Sequence, residues 1–155
     1  MKKGFTLIEL LAVIVILAII ALIATPTILG VVETARKGAA ESSVLGYIDA
    51  VEKQAMINEM DETDGNSLTD ATFTDLEQVS VKGQRPNDAY TIKTVNGSTC
   101  YVHGVTTVAG EVQDTVFVTK DNKYDVTYTK STGKAVAVTH NASSYATACP
   151  TTTEP

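Results

Sequence analysis

Hydrophobic residues are concentrated in one segment near the start of the chain. Residues 5–32 contain a single charged side chain, Glu9, and residues 10–24 form an unbroken apolar run. As an α-helix, these 28 residues would be ~42 Å long at a rise of about 1.5 Å per residue. The hydrocarbon core of a bilayer is about 30 Å thick. The pattern therefore predicts a membrane-spanning helix.

Two residues disturb the regularity of this segment. Pro26 cannot donate a hydrogen bond to the carbonyl of Leu22, and its ring crowds the preceding turn. Gly30 weakens the same part of the helix. The hydroxyls of Thr25 and Thr27 are suited to satisfy freed carbonyls, as polar side chains do in membrane helices. We predict a helix break at Pro26 and Gly30, either a local kink or a stretch that unwinds during packing.

The helical pattern continues beyond the apolar segment but becomes amphipathic. Over residues 33–60, Val44, Ile48, Val51 and Ala55 recur at spacings of four, three and four, while charged residues take the other faces. Such a stripe buries one side of a helix against another layer of structure. We therefore predict one helix ending near residue 60, with a second half that belongs to the core.

After residue 60 the pattern changes from helical to alternating. A polar loop is expected at 61–66 and a short helix over 70–79, where Phe73, Leu76 and Val79 are spaced by three. The pair Asn96-Gly97 is a strong hairpin signal. Alternation of apolar and polar residues predicts four or five short antiparallel strands. The alternating residues are Tyr90 and Ile92, Val116 and Val118, Tyr124, Val126 and Tyr128, and Val136 and Val138. The fold class is therefore α+β.

Charge divides the chain in the same way. The 155 residues carry 12 Lys and Arg against 18 Asp and Glu, a net charge of -6. Residues 33–155 hold 10 of the basic and 17 of the acidic residues. This balance argues against a broad basic surface for nucleic acid or anionic lipid. Lys2 and Lys3 favour a cytoplasmic start, which places residues 33–155 outside the cytoplasm.

Glu9 does not fit an ordinary signal peptide or a plain membrane anchor. A carboxylate within a bilayer costs about 2.5–3.5 kcal/mol on insertion scales and is by default a functional site. No Lys, Arg or His lies between Gly4 and Glu33 to pair with it. A secretory signal would also be followed by an Ala-x-Ala cleavage site, which is not found here.

The residues Lys2-Lys3-Gly4-Phe5-Thr6-Leu7-Ile8-Glu9-Leu10 resemble the class III signal of type IV pilins and the related pseudopilins. The resemblance implies that a dedicated membrane peptidase cuts after Gly4. The same enzyme would then methylate the new amino group of Phe5. Glu9 would become the fifth residue of the mature chain, where its carboxylate aligns and neutralises the amine of a neighbouring subunit.

The resemblance also implies a fold and a division of the chain. The expected fold is pilin-like: a long N-terminal helix, membrane-spanning in its first half, packed on a small antiparallel sheet. We expect a cleaved leader at 1–4, an assembly helix at 5–32, its amphipathic continuation at 33–60 and a loop and sheet head at 61–155. Pilin helices are bent or locally melted in assembled pili near the position of Pro26, which favours the unwinding alternative.

Cys100 and Cys149 both lie in the exported part, where disulfides persist. A bridge, two free thiols and a shared metal are the alternatives that the residues leave open, although a metal would need two further ligands and none is evident. The resemblance favours the bridge, because pilin heads often carry a disulfide near the C-terminus. The chain-entropy model puts its effect at about 4 kcal/mol.

Other candidate sites are weak. His103 and His140 are isolated in a strand-like context, and we expect surface or half-buried side chains rather than metal ligands. Residues 61–66 lack the ligand spacing of a calcium loop. The sequons at Asn96 and Asn141 follow a common sugar-acceptor pattern. We find no phosphate loop and no hydrolase motif, and therefore expect no cofactor, no metal and no enzymatic activity.

The sequence as a whole predicts a prepilin that is held in the cytoplasmic membrane by one span and then assembled into an extracellular filament. Its expected partners are copies of itself, the prepilin peptidase and methyltransferase, and the pilus assembly platform. One alternative is a pseudopilin of a type II secretion system, which uses the same N-terminus. The other is a monomeric single-span protein with a ligand-binding head. Glu9 argues against the latter, and against a fibre-capping subunit, since capping members of the family often lack that acid.

Overall fold

The computed structural model describes residues 4–60, 71–141, 145 and 147–149. Helix α1 spans Leu7–Met60 and is followed, within the described part, by eight β-strands and one 3₁₀ turn at Leu76–Gln78. The strands are β1 Ala71–Phe73, β2 Asp88–Val95, β3 Ser98–His103, β4 Val105–Val108, β5 Glu111–Val112, β6 Thr115–Val118, β7 Tyr124–Thr129 and β8 Lys134–Thr139. One long helix with antiparallel sheets confirms the α+β, pilin-like prediction.

The chain divides into two compact units, residues 1–36 and 37–155. The first unit consists of the start of α1. Its side chains from Phe5 to Val32 are exposed, apart from a partly covered Ala24. Among the described residues, α1 is the one helix long and apolar enough to span a bilayer. This finding fits the membrane anchor that the sequence predicts.

The second unit, which we call the head, contains two antiparallel sheets. The larger has the strand order β3-β2-β6-β7-β8 and the smaller the order β1-β4-β5. Strands β2, β6 and β7 form the centre of the larger sheet, with Ala89, Phe117 and Val126 in register across them. All three residues are fully buried, so this face of the sheet forms the core.

The amphipathic stripe of α1 packs on that face. Val44, Ile48, Val51 and Ala55 are at most 3% exposed and belong to one core cluster with Phe117 and Val126. Tyr47 adds a contact that the stripe did not include: its ring meets Phe117 edge to face at 5.9 Å. The Tyr47 hydroxyl donates to the carbonyl of Leu76 at 3.2 Å. The predicted stripe is therefore the buried one.

Two glutamates on α1 fix the helix to the sheets. Glu41 accepts a hydrogen bond from the backbone N of Ala137 in β8 at 2.9 Å. Glu52 accepts one from the backbone N of Val112 in β5 at 3.1 Å. Each carboxylate thus satisfies a strand amide on a different sheet, which sets the position of α1 over both.

The short helix predicted over 70–79 is wrong. Residues 71–73 form β1, which pairs with β4 and buries Phe73 opposite Val105. The 3₁₀ turn follows, and the Asp75 side chain accepts a hydrogen bond from the backbone N of Glu77 at 2.9 Å at its start. Strand pairing and this cap together outweigh the spacing by three. The polar loop predicted at 61–66 lies outside the described residues.

The number of strands was also underestimated. Strand β4 reads Val-Thr-Thr-Val, and its first three residues are all buried. A strand that is covered on both faces has no alternation of apolar and polar positions, so the period-two pattern misses it. Strand β5 is only two residues long, too short for any periodic signal.

Turn residues were predicted more successfully. Asn96 and Gly97 both have positive φ angles, 51° and 79°, and join β2 to β3 in a tight hairpin. Gly104 has a φ of 98°. A Cβ atom at this position would lie 2.6 Å from the carbonyl oxygen of Phe73. Glycine is therefore required where β1 passes close to the start of β4.

Candidate functional site

The chain enters α1 through a short non-helical stretch. Residues 4–6 are irregular and exposed, and the helix begins at Leu7. The Phe5 side chain is 86% exposed. In the part of the chain that the structure describes, nothing lies within 4 Å of the position that a Cβ on Gly4 would take. The peptide bond between Gly4 and Phe5 is therefore open to an enzyme in the unassembled chain.

Glu9 has a local partner that charge-based reasoning missed. Both the backbone N and the hydroxyl of Thr6 donate to Glu9 Oε2, at 2.8 and 2.7 Å. The backbone N of Glu9 lies 3.4 Å from the Thr6 hydroxyl oxygen. This reciprocal arrangement is a capping box, in which a Thr at the N-cap pairs with a Glu three residues later. The spacing Thr-x-x-Glu was visible in the sequence and would have identified it.

The capping box changes the description of Glu9 before assembly. The carboxylate is satisfied by donors of its own chain, both of them on Thr6. In the mature chain the amino group of Phe5 would be the nearest charged group of opposite sign in the sequence. The geometry thus shows one set of donors for Glu9, the backbone N and the hydroxyl of Thr6.

The helix passes through Pro26 and Gly30 without interruption. The Thr25 hydroxyl donates to the carbonyl of Ala21 at 2.7 Å, and the Thr27 hydroxyl donates to that of Ile23 at 3.4 Å. The two acceptor carbonyls lie on either side of that of Leu22. The Leu22 carbonyl has no backbone donor four residues later, because Pro26 has no N–H. The helical backbone is therefore continuous at these residues in the isolated chain, and both the kink and the unwinding during packing stay predictions.

In the head, Cys100 and Cys149 form a disulfide with a Cα–Cα distance of 4.8 Å. The adjacent backbone is paired as well: Tyr101 N donates to the carbonyl of Thr147 at 2.9 Å, and Cys149 N donates to that of Tyr101 at 3.3 Å. The bridge and these bonds therefore attach residues 147–149 to β3.

Both histidines contact carboxylates, which their isolation in the sequence did not suggest. His103 Nε2 lies 2.9 Å from Asp88, and His140 Nδ1 lies 2.6 Å from Asp125. Tyr90 donates to Asp88 at 2.6 Å, and this bond raises the pKa of Tyr90 to about 12. Within the described residues, no group of three or more His, Cys, Asp or Glu side chains is placed to hold a metal.

Comparison with known families identifies the N-terminal segment. Residues 1–25 match the prokaryotic N-terminal methylation motif. This methylation motif is a class III signal peptide and the hallmark of type IV pilins and pseudopilins, as the resemblance implied. It covers Gly4, Phe5, the capping box and most of the apolar run. No curated protein and no solved structure matches the chain.

The methylation motif implies processing by a prepilin peptidase and assembly into pilus-like machinery. Proteins with this hallmark are structural rather than enzymatic. The chain therefore carries the N-terminal signature of a pilin-like or pseudopilin precursor, on a fold with the matching long helix and antiparallel sheets.

Proposed function

We propose that the chain is the precursor of a structural subunit of a type IV pilus. The observation that carries the proposal is the combination, on one helix, of the methylation motif with an apolar surface that is exposed from Phe5 to Val32. In the precursor this surface lies in the cytoplasmic membrane. In an extracellular filament it would be buried against the same surface of other copies.

Processing is the first step of the proposed mechanism. The peptidase cuts the exposed bond after Gly4, which removes the basic leader and creates an amino group on Phe5. Methylation leaves that amine positively charged. Cleavage thus supplies a new cation for Glu9 to pair with, because the Phe5 nitrogen of the precursor is an ordinary amide.

Docking follows cleavage. A buried carboxylate and a buried amine are each costly alone, whereas a pair offsets much of the desolvation. Staggered helices would bring Glu9 of one copy to the Phe5 amine of the next. In that arrangement Glu9 exchanges the two Thr6 donors for the neighbouring amine. The stagger is then set by an interaction between charges and no longer by apolar contact alone.

Lateral packing of the helices completes assembly. We propose that the helix opens between Pro26 and Gly30 at this stage, since only threonine hydroxyls supplement the backbone bonding there. Electron microscopy of filaments, with side-chain density for residues 25–30, would test this step. A continuous helix through these residues in the filament would contradict it.

A pseudopilin of a type II secretion system is the second candidate, because its precursor carries the same motif. The two differ in the product: a long surface filament for a pilin and a short periplasmic fibre for a pseudopilin. The monomeric ligand-binding alternative gives neither product and leaves Glu9 with its capping role alone.

Electron microscopy of surface filaments, combined with mass spectrometry of their main subunit, tests the proposal. We expect filaments whose subunit starts at a methylated Phe5. A subunit found only in short periplasmic fibres would favour the pseudopilin. A mature chain that starts at Met1, or beyond Ala24, would contradict both.

A further inference from the structure

The described residues after β8 lie on the outer face of the larger sheet, opposite α1. We call His140, Asn141, Tyr145 and residues 147–149 the C-terminal strap. Asp88, Val118 and Asp125 are in register across β2, β6 and β7 on that face. The strap contacts β7 through Asp125 and ends beside β3, at the opposite edge of the sheet. It therefore passes over the strands between them.

The strap has an anchor besides the disulfide. Asp125 accepts hydrogen bonds from His140 Nδ1 at 2.6 Å and from the backbone N of Asn141 at 3.0 Å. Burial raises the pKa of Tyr145, and so does the hydrogen bond that its hydroxyl donates to the same carboxylate. Three donors from the strap thus meet on one side chain of β7.

The burial of Asp125 makes this anchor strong. Its side chain is only 3% exposed, and a buried carboxylate is costly unless it is hydrogen-bonded. The strap supplies its donors, so opening the strap would strip the carboxylate of these bonds. Hydrogen bonds to charged groups contribute more than neutral ones.

Aromatic contacts guide the strap from this anchor towards β3. The Tyr145 ring stacks on Tyr90 of β2, with centroids 5.1 Å apart and planes 9° apart. It also meets Tyr101 of β3 edge to face at 5.4 Å. Tyr90 is itself held by Asp88. Tyr145 is therefore fixed at both its hydroxyl and its ring, four residues before Cys149.

We infer that Asp125 is a positioning residue for the disulfide: it closes the strap without the covalent bond and holds Cys149 beside Cys100. Without the anchor, a tether of ten residues would separate Cys149 from the end of β8 at Thr139, whereas the fixed Tyr145 leaves four. The effective concentration of the two ends of a flexible tether falls as about the -3/2 power of its length. Shortening the tether from ten residues to four therefore predicts an effective concentration of the two cysteines that is about fourfold higher.

Thiol–disulfide exchange with oxidised glutathione measures this gain. One cysteine thiolate attacks glutathione disulfide and releases one glutathione. The other cysteine then attacks the mixed disulfide and releases the second. The two thiol hydrogens and two electrons of the chain end on two glutathione molecules. The equilibrium ratio gives the effective concentration of Cys100 and Cys149, for the full chain in detergent micelles.

Three variants separate positioning from general stability. Asp125→Asn keeps the shape but replaces one acceptor oxygen with a donor. Tyr145→Phe removes one hydrogen bond and keeps the ring, which makes it the milder variant. Asp49→Asn changes an exposed carboxylate on α1 and is the control. We expect at least a fourfold loss of effective concentration for Asp125→Asn, a smaller loss for Tyr145→Phe and no change for the control.

Amide hydrogen exchange in a Cys100→Ser, Cys149→Ser background provides the second readout. We expect Asn141 N and Tyr101 N to stay protected there, and to exchange at least about tenfold faster when Asp125→Asn is added. The amide of Val126 should keep its protection, which shows that the sheet is intact. If Asn141 and Tyr101 exchange equally fast with and without Asp125→Asn, or if neither substitution lowers the effective concentration, the inference is wrong.

Discussion

Replacing Glu9 with Gln separates the capping role that the structure shows for this side chain from the docking role that we propose. A capping box accepts either Glu or Gln at the position that Glu9 occupies, so the variant can keep its bonds to Thr6. It cannot neutralise an amine. Glu9→Gln therefore leaves the helix start intact and removes the charge on which the proposed docking depends.

The two roles differ in magnitude. Complete loss of an N-cap costs about 1 kcal/mol, which is roughly a fivefold change in an equilibrium constant. An amine left without its partner in the apolar interior of an assembly costs about 3–5 kcal/mol. This would weaken the addition of each subunit on the order of 10²- to 10⁴-fold. If Glu9 docks to the amine of a neighbouring copy, Glu9→Gln should abolish almost all filaments. If Glu9 only caps the helix, Glu9→Gln should form as many filaments as the wild type.

The assay measures filament yield by shearing and the amount of cleaved precursor in the membrane fraction of the same cells. For Glu9→Gln we expect stable, cleaved, membrane-held protein and few filaments. Glu9→Val should also give few filaments, although it inserts into the membrane more easily than the wild type because it lacks the charge. Thr6→Val is the matched control, since it removes the capping hydroxyl and keeps the carboxylate, and its yield should stay within about tenfold of the wild type. Normal filaments from Glu9→Gln would refute the docking role.

Three further predictions concern the head. Cys149→Ser should lower the free energy of unfolding by about 4 kcal/mol on the chain-entropy model for a loop of 49 residues. Urea unfolding of the wild type and the variant under non-reducing conditions would check this. An unchanged urea midpoint would contradict it. Gly104→Ala should lower the free energy of unfolding by about 1–3 kcal/mol or more, because the added Cβ meets the Phe73 carbonyl at a positive φ. Thermal unfolding should show this loss. Gly83→Ala is the control, since no described atom lies within 4 Å of its added Cβ. Burial raises the pKa of Tyr47 to about 12, so the unfolded chain ionises first and stability falls between about pH 10 and 12. Denaturant titrations at these two pH values measure the loss of unfolding free energy between them, and Tyr47→Phe should reduce this loss by roughly 2 kcal/mol. An equal loss in the variant and the wild type would show that Tyr47 does not cause it.

Local and periodic features of the molecule could be predicted from the sequence. The long helix and its buried stripe followed from the spacing of apolar residues, and the turn at Asn96-Gly97 followed from the preference of those residues for positive φ. Strands β1, β4 and β5 could not be found in this way, because they are short and β4 is covered on both faces. The pairing between Phe73 and Val105 that creates β1 joins segments far apart in sequence.

The candidate site shows the same limit. Gly4, Phe5 and Glu9 were identified because the motif is contiguous. Thr6 was overlooked because the search for a partner considered charges only. The carboxylate partners of His103 and His140 lie 15 residues away from each of them along the chain. Such contacts depend on strand register and become visible only once the sheet is assembled.

The hydrogen bond from the Ala137 amide of β8 to the Glu41 carboxylate also affects how readily heads aggregate at high local concentration. An edge strand with free N–H groups is a template for pairing with another chain, and proteins avoid aggregation by blocking such edges. Here the Ala137 amide on one edge is occupied by Glu41, and the Tyr101 amide on the other is occupied by Thr147. Crowded heads are thereby discouraged from joining sheet to sheet. In the filament that we propose, contacts between copies would then be confined to the apolar helix, which becomes available for them when it leaves the membrane.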